Sequence, residues 1–250
     1  MTNATLELLE QRRSVRNFTG ESIPDADLQA ILKAAQQAPT SVNGQQTSLV
    51  VVRDKATIQK IADIAGGQPQ VASADVFIAV VVDFQRPAEA VRLAGETQVI
   101  EQSAEGILAG TIDAGIMLQA IQTAASALGY GSTAIGGIRR NPQAMIELLG
   151  LPEKTFPIVG STLGIADPAL QAAVKPRVPL ASFAMPERYD LAAVKQGVAE
   201  YDAQLRQWWD AQGLNQMPSY AASTAGYYKS VYFPTIATDL QRQGFVFQDA

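Results

Sequence analysis

Three arginines and one serine lie close together near the start of the chain: Arg12, Arg13, Ser14 and Arg16. If a helix continued through them, Arg16 would lie over Arg12 and Arg13 at i,i+4 and i,i+3 spacing, where like charges repel. A bound phosphate would remove that repulsion, because guanidinium and hydroxyl groups donate hydrogen bonds to anionic oxygens. The alternative is a solvated helix end, where arginine also suits the helix dipole. These residues are therefore a candidate phosphate site.

A second basic segment is Lys175-Pro176-Arg177-Val178-Pro179. Proline fixes its own φ and biases the preceding residue toward extended backbone, so the two cations would be held with little loss of rotamer freedom. The alternative is a surface loop that carries two charges. Because the chain is acidic overall, with a formal net charge of −5, two basic segments together favour a shared anionic ligand.

Polar side chains that could contact a heterocycle lie in two predicted loops. The first loop carries Thr40, Ser41, Asn43, Gln45 and Gln46. In the second loop, Gln68 follows Gly66 and Gly67. The alternative for both loops is ordinary turn chemistry, in which such residues are common.

Paired glycines end a predicted strand at Ile135-Gly136-Gly137. Glycine there would let the backbone approach a flat ligand, and the alternative is a tight turn. The nearby pattern Gly129-x-Gly131-x-x-Ala134 matches the loose dinucleotide-binding fingerprint, but that fingerprint needs a strand before the glycines and a helix after them. The predicted order here is the reverse, so we reject it.

The chain contains no cysteine and no histidine. This excludes zinc sites built from Cys and His, iron–sulfur clusters, haem held by His or Cys, and Ser-His or Cys-His nucleophilic pairs. We therefore predict no metal site. If the chain is an enzyme, a bound organic cofactor supplies its reactivity.

Charge and hydropathy limit the kinds of partner that the chain is expected to bind. The acidic net charge argues against nucleic acid. The longest unbroken apolar run, residues 76–82, is far shorter than the ~20 residues of a membrane-spanning helix. Residues 1–14 lack the apolar stretch of a secretory signal. We expect a cytoplasmic protein without membrane contact.

Hydrophobic periodicity and turn residues predict mixed helices and strands in one domain over residues 1–250, of α+β or α/β class. The predicted helices cover residues 4–11, 25–38, 55–65, 101–128, 142–149, 186–212 and 228–243, and the predicted strands cover 48–53, 76–82, 130–135, 156–164 and 245–247. The continuous apolar run at 76–82 predicts a strand buried on both faces. Helix 101–128 is too apolar for a surface, which predicts a core helix or a dimer interface. The terminal strand would need a sheet to join, in its own subunit or in another.

Taken in order, these motifs resemble the nitroreductase superfamily, in particular its oxygen-insensitive NADPH nitroreductases and NADPH-flavin oxidoreductases. The resemblance covers roughly residues 5–180. It rests on the run from Arg12 to Thr19, the polar loop after the second helix, Gly66-Gly67-Gln68, Ile135-Gly136-Gly137-Ile138-Arg139 and Lys175-Pro176-Arg177.

The resemblance implies an α+β, three-layer fold with a mainly antiparallel sheet between helices. It implies a homodimer with FMN at the subunit interface, in which residues 186–250 form a C-terminal extension exchanged between subunits. Hydride would pass from NADPH or NADH to flavin N5, and a flat acceptor would then take the electrons in a ping-pong cycle. Nitroaromatics, quinones, azo compounds and free flavin are the implied acceptors.

The resemblance also assigns roles to residues, with no side chain acting as the catalyst. Arg12 and Ser14, beside Arg13, would meet the FMN phosphate together with Lys175 and Arg177. Arg16 would lie near the pyrimidine edge, where a fixed cation favours the negative charge of reduced flavin. The remaining predicted contacts are Thr40, Ser41 and Asn43 along one side of the cofactor, Gln68 at the ring or ribityl chain, and Ala134, Ile135, Gly136 and Gly137 against the isoalloxazine.

Two positions depart from the family pattern. Arg12 stands where close relatives often have histidine, which should strengthen phosphate binding. Close relatives also grip the 2′-phosphate of NADPH with arginines in a C-terminal loop, whereas residues 207–228 contain no lysine or arginine. We therefore expect only a modest preference between NADPH and NADH.

Three alternatives stay open from the sequence. The first is a dedicated flavin, quinone or azo-dye reductase on the same scaffold. The second is a flavin-binding protein that stores or senses FMN without turnover. The third is a structural domain without a cofactor, whose basic segments are merely solvated.

Overall fold

The computed structural model describes residues 3–170 and 172–249. The chain divides into a larger unit, Met1–Ala172 with Thr235–Ala250, and a smaller unit, Ala173–Pro234. The last segment of the chain thus packs with the larger unit, and the smaller unit begins before the extension predicted at 186–250.

The larger unit is built on a sheet of four antiparallel strands. The strands are β1 (Thr47–Val52), β2 (Val76–Asp83), β3 (Gly131–Ile135) and β4 (Thr155–Gly164), in the order β1-β2-β4-β3. Strands β2 and β4 are therefore interior, and β1 and β3 are the edges. The predicted strands at 48–53, 76–82, 130–135 and 156–164 are confirmed within one residue at each end.

The helices of the larger unit are α1 (Ala4–Glu10), α2 (Asp25–Gln36), α3 (Lys55–Ile64), α4 (Pro69–Ala72), α5 (Gln85–Leu93), α6 (Ala104–Ala127), α7 (Pro142–Leu149) and α11 (Ile236–Arg242). The smaller unit contains α8 (Leu180–Phe183), α9 (Leu191–Ala211) and α10 (Tyr220–Tyr228). Side-chain caps begin several of them, such as Ser103 at α6 and Asn141 at α7.

Strand β2 explains the layering. Successive side chains of a strand point to opposite faces, and every residue of 76–82 is apolar and buried. Val76, Ile78, Val80 and Val82 join one core with α2 and α6. The residues between them join a second core with α3 and α7. The predicted three-layer arrangement with a doubly buried strand is confirmed.

Helix α6 is the long apolar helix that the sequence predicts. Ala114, Met117, Ile121 and Ala125 face the core, whereas the opposite side leaves isoleucines such as Ile112 open to solvent. Among the described residues it is the one helix long and apolar enough to cross a membrane by length and composition alone, a test that core helices of soluble proteins also pass. Its packing against α2 and the sheet is that of a core helix with one uncovered face.

Two C-terminal predictions are wrong. Residues 245–247 form no strand; Phe245 is instead buried in the core, with its ring 6.0 Å from that of Phe84. The helix predicted at 228–243 begins too early: α10 ends at Tyr228, a turn that contains Pro234 follows, and only α11 at residues 236–242 is helical after it. The rejection of the dinucleotide fingerprint is confirmed, because Gly129 (φ +85°) follows α6 and leads into β3.

Candidate functional site

The first basic segment lies along the open edge of β3. Helix α1 ends at Glu10, so the arginines are not on a helix and the repulsion predicted for a helical run does not arise. The backbone N–H of Val15 donates to the carbonyl of Ser132 at 2.9 Å, and the Thr133 hydroxyl donates to the carbonyl of Val15. Gly131 makes this approach possible, because a Cβ there would lie 2.6 Å from a methyl carbon of Val15.

The arginine side chains flank this contact. Arg12, Arg13 and Ser14 are half-buried, and Arg16 is exposed. Arg12 and Arg13 line a cleft of about 430 Å³ between α1, the end of α6 and the start of β3. Strand β3 therefore fixes the backbone of the segment while its cations stay accessible to an anion.

Gln68 lies at the other end of β3, against the paired glycines. Gly137 has no room for a side chain, because a Cβ would lie 2.7 Å from the carbonyl oxygen of Ala65 and 2.4 Å from Gln68 Nε2. Protein packing, and not only a flat ligand, therefore requires glycine at this position. Gln68 Nε2 donates to the Ala65 carbonyl at 3.1 Å, and Gln70 Nε2 donates to Gln68 Oε1 at 2.6 Å. These bonds fix the orientation of the Gln68 amide.

Strand β3 connects the two features into one surface. Ser132 and Gly136 are separated by four residues of near-extended chain, roughly 13 Å. Between them Ala134 is the exposed position of β3, while Ile135 is buried. The edge thus offers phosphate donors at one end, a small flat surface in the middle and a fixed amide at the other. This layout suits FMN, in which a phosphate is separated from a flat ring by a ribityl chain.

The polar loop at 40–46 lies at the opposite corner of the sheet. It leads into β1, and the register places Thr47 level with Val82, whereas Ser132 is level with Leu163 and hence with Val76. Thr47 and Ser132 are three strands apart across the sheet and six residues apart along the strand direction. Together these displacements separate them by roughly 25 Å. The structure therefore does not bring Thr40, Ser41 and Asn43 to the β3 edge of the same chain.

Asp113 of α6 is a functional candidate that sequence reasoning missed. Its carboxylate accepts hydrogen bonds from the Ser41 N–H at 3.1 Å and from Gln46 Nε2 at 2.7 Å. Burial raises the pKa of Asp113, although both hydrogen bonds act in the opposite direction. The sequence did carry one signal for it, because after Glu105 it is the sole charged residue of α6.

In the smaller unit, aromatic side chains of α9 support the second basic segment. Lys175 Nζ lies 4.6 Å from the centre of a Trp209 ring, a cation–π arrangement. The Tyr201 hydroxyl donates to the Pro176 carbonyl at 3.0 Å, and burial raises the pKa of Tyr201. Arg177 remains exposed. That Lys175 and Arg177 share one phosphate with Arg12 stays a prediction from the sequence.

Comparison with known proteins agrees with this geometry. The nitroreductase family model matches residues 9–165, and the model of the nitroreductase family C-terminal domain matches residues 175–248. An FMN reductase [NAD(P)H] of Bacillus subtilis is 36% identical over 246 residues, covering 97% of this chain and 98% of the relative. An oxygen-insensitive NADPH nitroreductase of Salmonella typhimurium is 36% identical over 211 residues, covering 84% of this chain and 85% of the relative.

Solved structures show the same fold. The structure of NfrA2 from B. megaterium superposes with a TM-score of 0.95 at 34% sequence identity, covering 99% of this chain and 100% of that one. The match extends over both the larger and the smaller unit. The chain therefore belongs to the nitroreductase family.

Proposed function

We propose that this chain is an FMN-dependent oxidoreductase that takes electrons from NADPH or NADH and passes them to small flat acceptors. Nitroaromatics, quinones, azo compounds and free flavin are the acceptors that such an enzyme would reduce. The observation that carries the proposal is the β3 edge, where the basic segment and the Gln68–Gly137 contact lie at the two ends of one edge strand whose exposed residue is Ala134. When bound, FMN would supply the redox chemistry, which is hydride transfer from NADPH or NADH and reduction of the acceptor.

The chain's own residues bind and orient the cofactor in this proposal. Arg12 and Ser14 donate to the phosphate, with Arg13 beside them, and Lys175 and Arg177 supply the further cations. Arg16 supports negative charge on the reduced ring electrostatically. Gln68 presents its fixed amide to the ring or ribityl chain, and residues 134–137 provide the surface on which the ring packs.

The position of the polar loop supports a homodimer. Thr40, Ser41 and Asn43 belong to the corner of the sheet farthest from the β3 edge, so they reach a flavin there only from a second copy of the chain. The uncovered face of α6 supports such a dimer: with α2 it lines an apolar groove of about 740 Å³ that includes Ile112 and Ile116. We propose a cytoplasmic homodimer in which each flavin contacts both subunits.

An absorption spectrum of the purified protein tests the function. We expect a yellow protein with close to one FMN per chain, which bleaches when NADPH or NADH is added anaerobically and recovers its colour when an acceptor follows. A flavin that stays oxidised would identify a storage or sensor protein. A colourless protein that cannot be reconstituted with FMN would refute the proposal.

The second prediction concerns the electron donor. Strong selection for NADPH needs cations placed to meet its 2′-phosphate. Arg206, next to the uncharged segment 207–209, donates to the Met217 carbonyl and to the Asp210 carboxylate. Arg139 donates to the Ile158 carbonyl. Because residues 207–228 contain no lysine or arginine, we expect kcat/KM for NADPH and NADH to differ by about tenfold or less, about 1.4 kcal/mol. The measurement uses one fixed acceptor, and a thousandfold preference for NADPH would contradict the prediction.

A further inference from the structure

The loop at 40–46 is held in a backbone conformation that its residues disfavour. Three of them that are not glycine have positive φ: Val42 at 48°, Asn43 at 55° and Gln45 at 51°. Asparagine tolerates this region, but for a β-branched residue such as valine it is a real outlier. The Val42 side chain is 95% exposed, so no packing within the chain compensates for its strain. Strain of this kind persists only where surrounding contacts over-determine the backbone.

One carboxylate supplies those contacts at both ends of the loop. Asp113 accepts the Ser41 N–H at the start of the loop and the Gln46 amide at its end. Gly44 leaves space for the second bond, since a Cβ there would lie 2.4 Å from Gln46 Oε1. The Thr40 hydroxyl adds a bond across the loop by accepting the Gln45 N–H at 3.1 Å.

Asp113 is a buried carboxylate that costs folding free energy, which indicates a role other than stabilising the fold. Its side chain is 3% exposed, and among the described residues no lysine or arginine forms an ion pair with it. Burial of a carboxylate without a cation is unfavourable, and an apolar side chain would pack in the middle of this helix at lower cost. What the carboxylate provides in exchange is the shape of the loop.

We infer that Asp113 is a positioning residue for flavin binding. It holds residues 40–46 in the strained shape that presents Thr40, Ser41 and Asn43 to the flavin, and it acts through the loop without touching the cofactor. The inference rests on the proposed function, since it assigns this loop to the flavin bound at the β3 edge of a second copy.

The test measures dissociation constants for FMN and riboflavin, together with the melting temperature of the apoprotein. Asp113→Ala is expected to weaken both ligands by the same factor of about tenfold, because the inference places the loop along the side of the flavin, which the two ligands share, and not at the phosphate. Asp113→Asn keeps an oxygen that can accept the Ser41 N–H, so it is expected to stay within about threefold of the unaltered protein. If asparagine restores the affinities that alanine loses, the role of Asp113 depends on accepting the hydrogen bond and not on its negative charge.

Asp75→Ala is the matched control for Asp113→Ala. Asp75 is another buried carboxylate that accepts a backbone N–H from a distant loop, that of Ile23 at 2.9 Å, but it lies outside the proposed flavin site. Burial would raise the pKa of Asp75, but the Ile23 hydrogen bond and the charge of Arg53 outweigh it and lower the pKa. Its ionised form therefore stabilises the fold at neutral pH. Asp75→Ala should lower the melting temperature and leave both dissociation constants unchanged.

Unchanged affinities for both ligands in Asp113→Ala would overturn the inference, as would a loss confined to FMN. If Asp113→Ala does not fold, Gln46→Leu decides: it removes the second donor and is expected to weaken both ligands equally, by about threefold. Unchanged affinities in Gln46→Leu would then overturn the inference. An unaltered protein that binds neither flavin refutes the proposed function itself, before any variant is compared.

Discussion

Replacement of Arg177 by alanine is expected to lower the affinity for FMN by about 10- to 150-fold and to leave the affinity for riboflavin unchanged. A charge-assisted hydrogen bond contributes about 1.5–3 kcal/mol, which corresponds to that factor. Riboflavin lacks the phosphate, so it does not depend on a residue that contacts only the phosphate. Titration of the apoprotein with each ligand, followed by flavin fluorescence, measures both constants.

The smaller unit shows why Arg177 is suited to this role. Its backbone is restricted by Pro176 on one side and by Pro179 two residues later. The Tyr201 hydroxyl holds the Pro176 carbonyl, and Lys175 rests on Trp209. A cation on a backbone fixed in this way loses little freedom when it binds an anion.

Arg188→Ala is the control for charge. Arg188 belongs to the same unit and is exposed, but the sequence assigns it no role in the site. Its removal makes the same change in net charge and should leave both constants unchanged. Equal losses for FMN and riboflavin in Arg177→Ala would show that Arg177 does not contact the phosphate.

The sheet could be predicted from the sequence because its signals are local. Seven consecutive apolar residues at 76–82 admit few structures other than a strand buried on both faces, and β2 is that strand. The dinucleotide fingerprint at Gly129 could also be rejected from the sequence, because nearby residues suffice to predict a helix before it and a strand after it. The strand order β1-β2-β4-β3 depends on distant pairings and was not accessible in this way.

The candidate site was predicted in part. Residue types identified the arginines, Gln68 and the paired glycines as candidates, and the structure brings them to the two ends of β3. The sequence could not show that the loop at 40–46 lies at the far corner of the sheet, because that depends on the register. Asp113 was missed for the same reason: its partners Ser41 and Gln46 are about seventy residues away in the chain.

The C-terminus shows the limit of local patterns most clearly. Phe245-Val246-Phe247 has the composition of a short strand, but its neighbours decide otherwise. The Lys154 N–H donates to the Gln243 carbonyl at 2.7 Å, and the Gln248 N–H donates to the Gln102 carbonyl at 2.8 Å. The first bond holds the tail at the start of β4, the second holds it just before α6, and between them Phe245 packs beside Phe84.

Phe245→Ala is expected to lower the free energy of unfolding by about 3–5 kcal/mol, the usual cost of truncating a fully buried phenylalanine. Phe245 is 1% exposed and packs edge-on against Phe84, in a core that also contains Phe156. For a chain of this size the loss corresponds to a melting temperature lower by roughly 10 °C. Urea and thermal unfolding of the apoprotein at one fixed protein concentration measure it, because a dimer's stability depends on concentration.

Phe247→Ala is the matched control, since it removes the same side chain two residues away. Phe247 is 49% exposed in the single chain, so its truncation should cost less than about 1 kcal/mol.

The comparison of the two variants also distinguishes two roles for the tail. If the tail stabilises its own subunit, Phe245→Ala has much the larger effect and the protein remains dimeric. If the tail is exchanged between subunits, Phe247→Ala should destabilise the protein as much as Phe245→Ala, and dilution should separate the subunits and release FMN. Equal losses of unfolding free energy in the two variants would therefore contradict the prediction. They would show that the tail does not stabilise the protein mainly by packing Phe245 into the core of its own subunit.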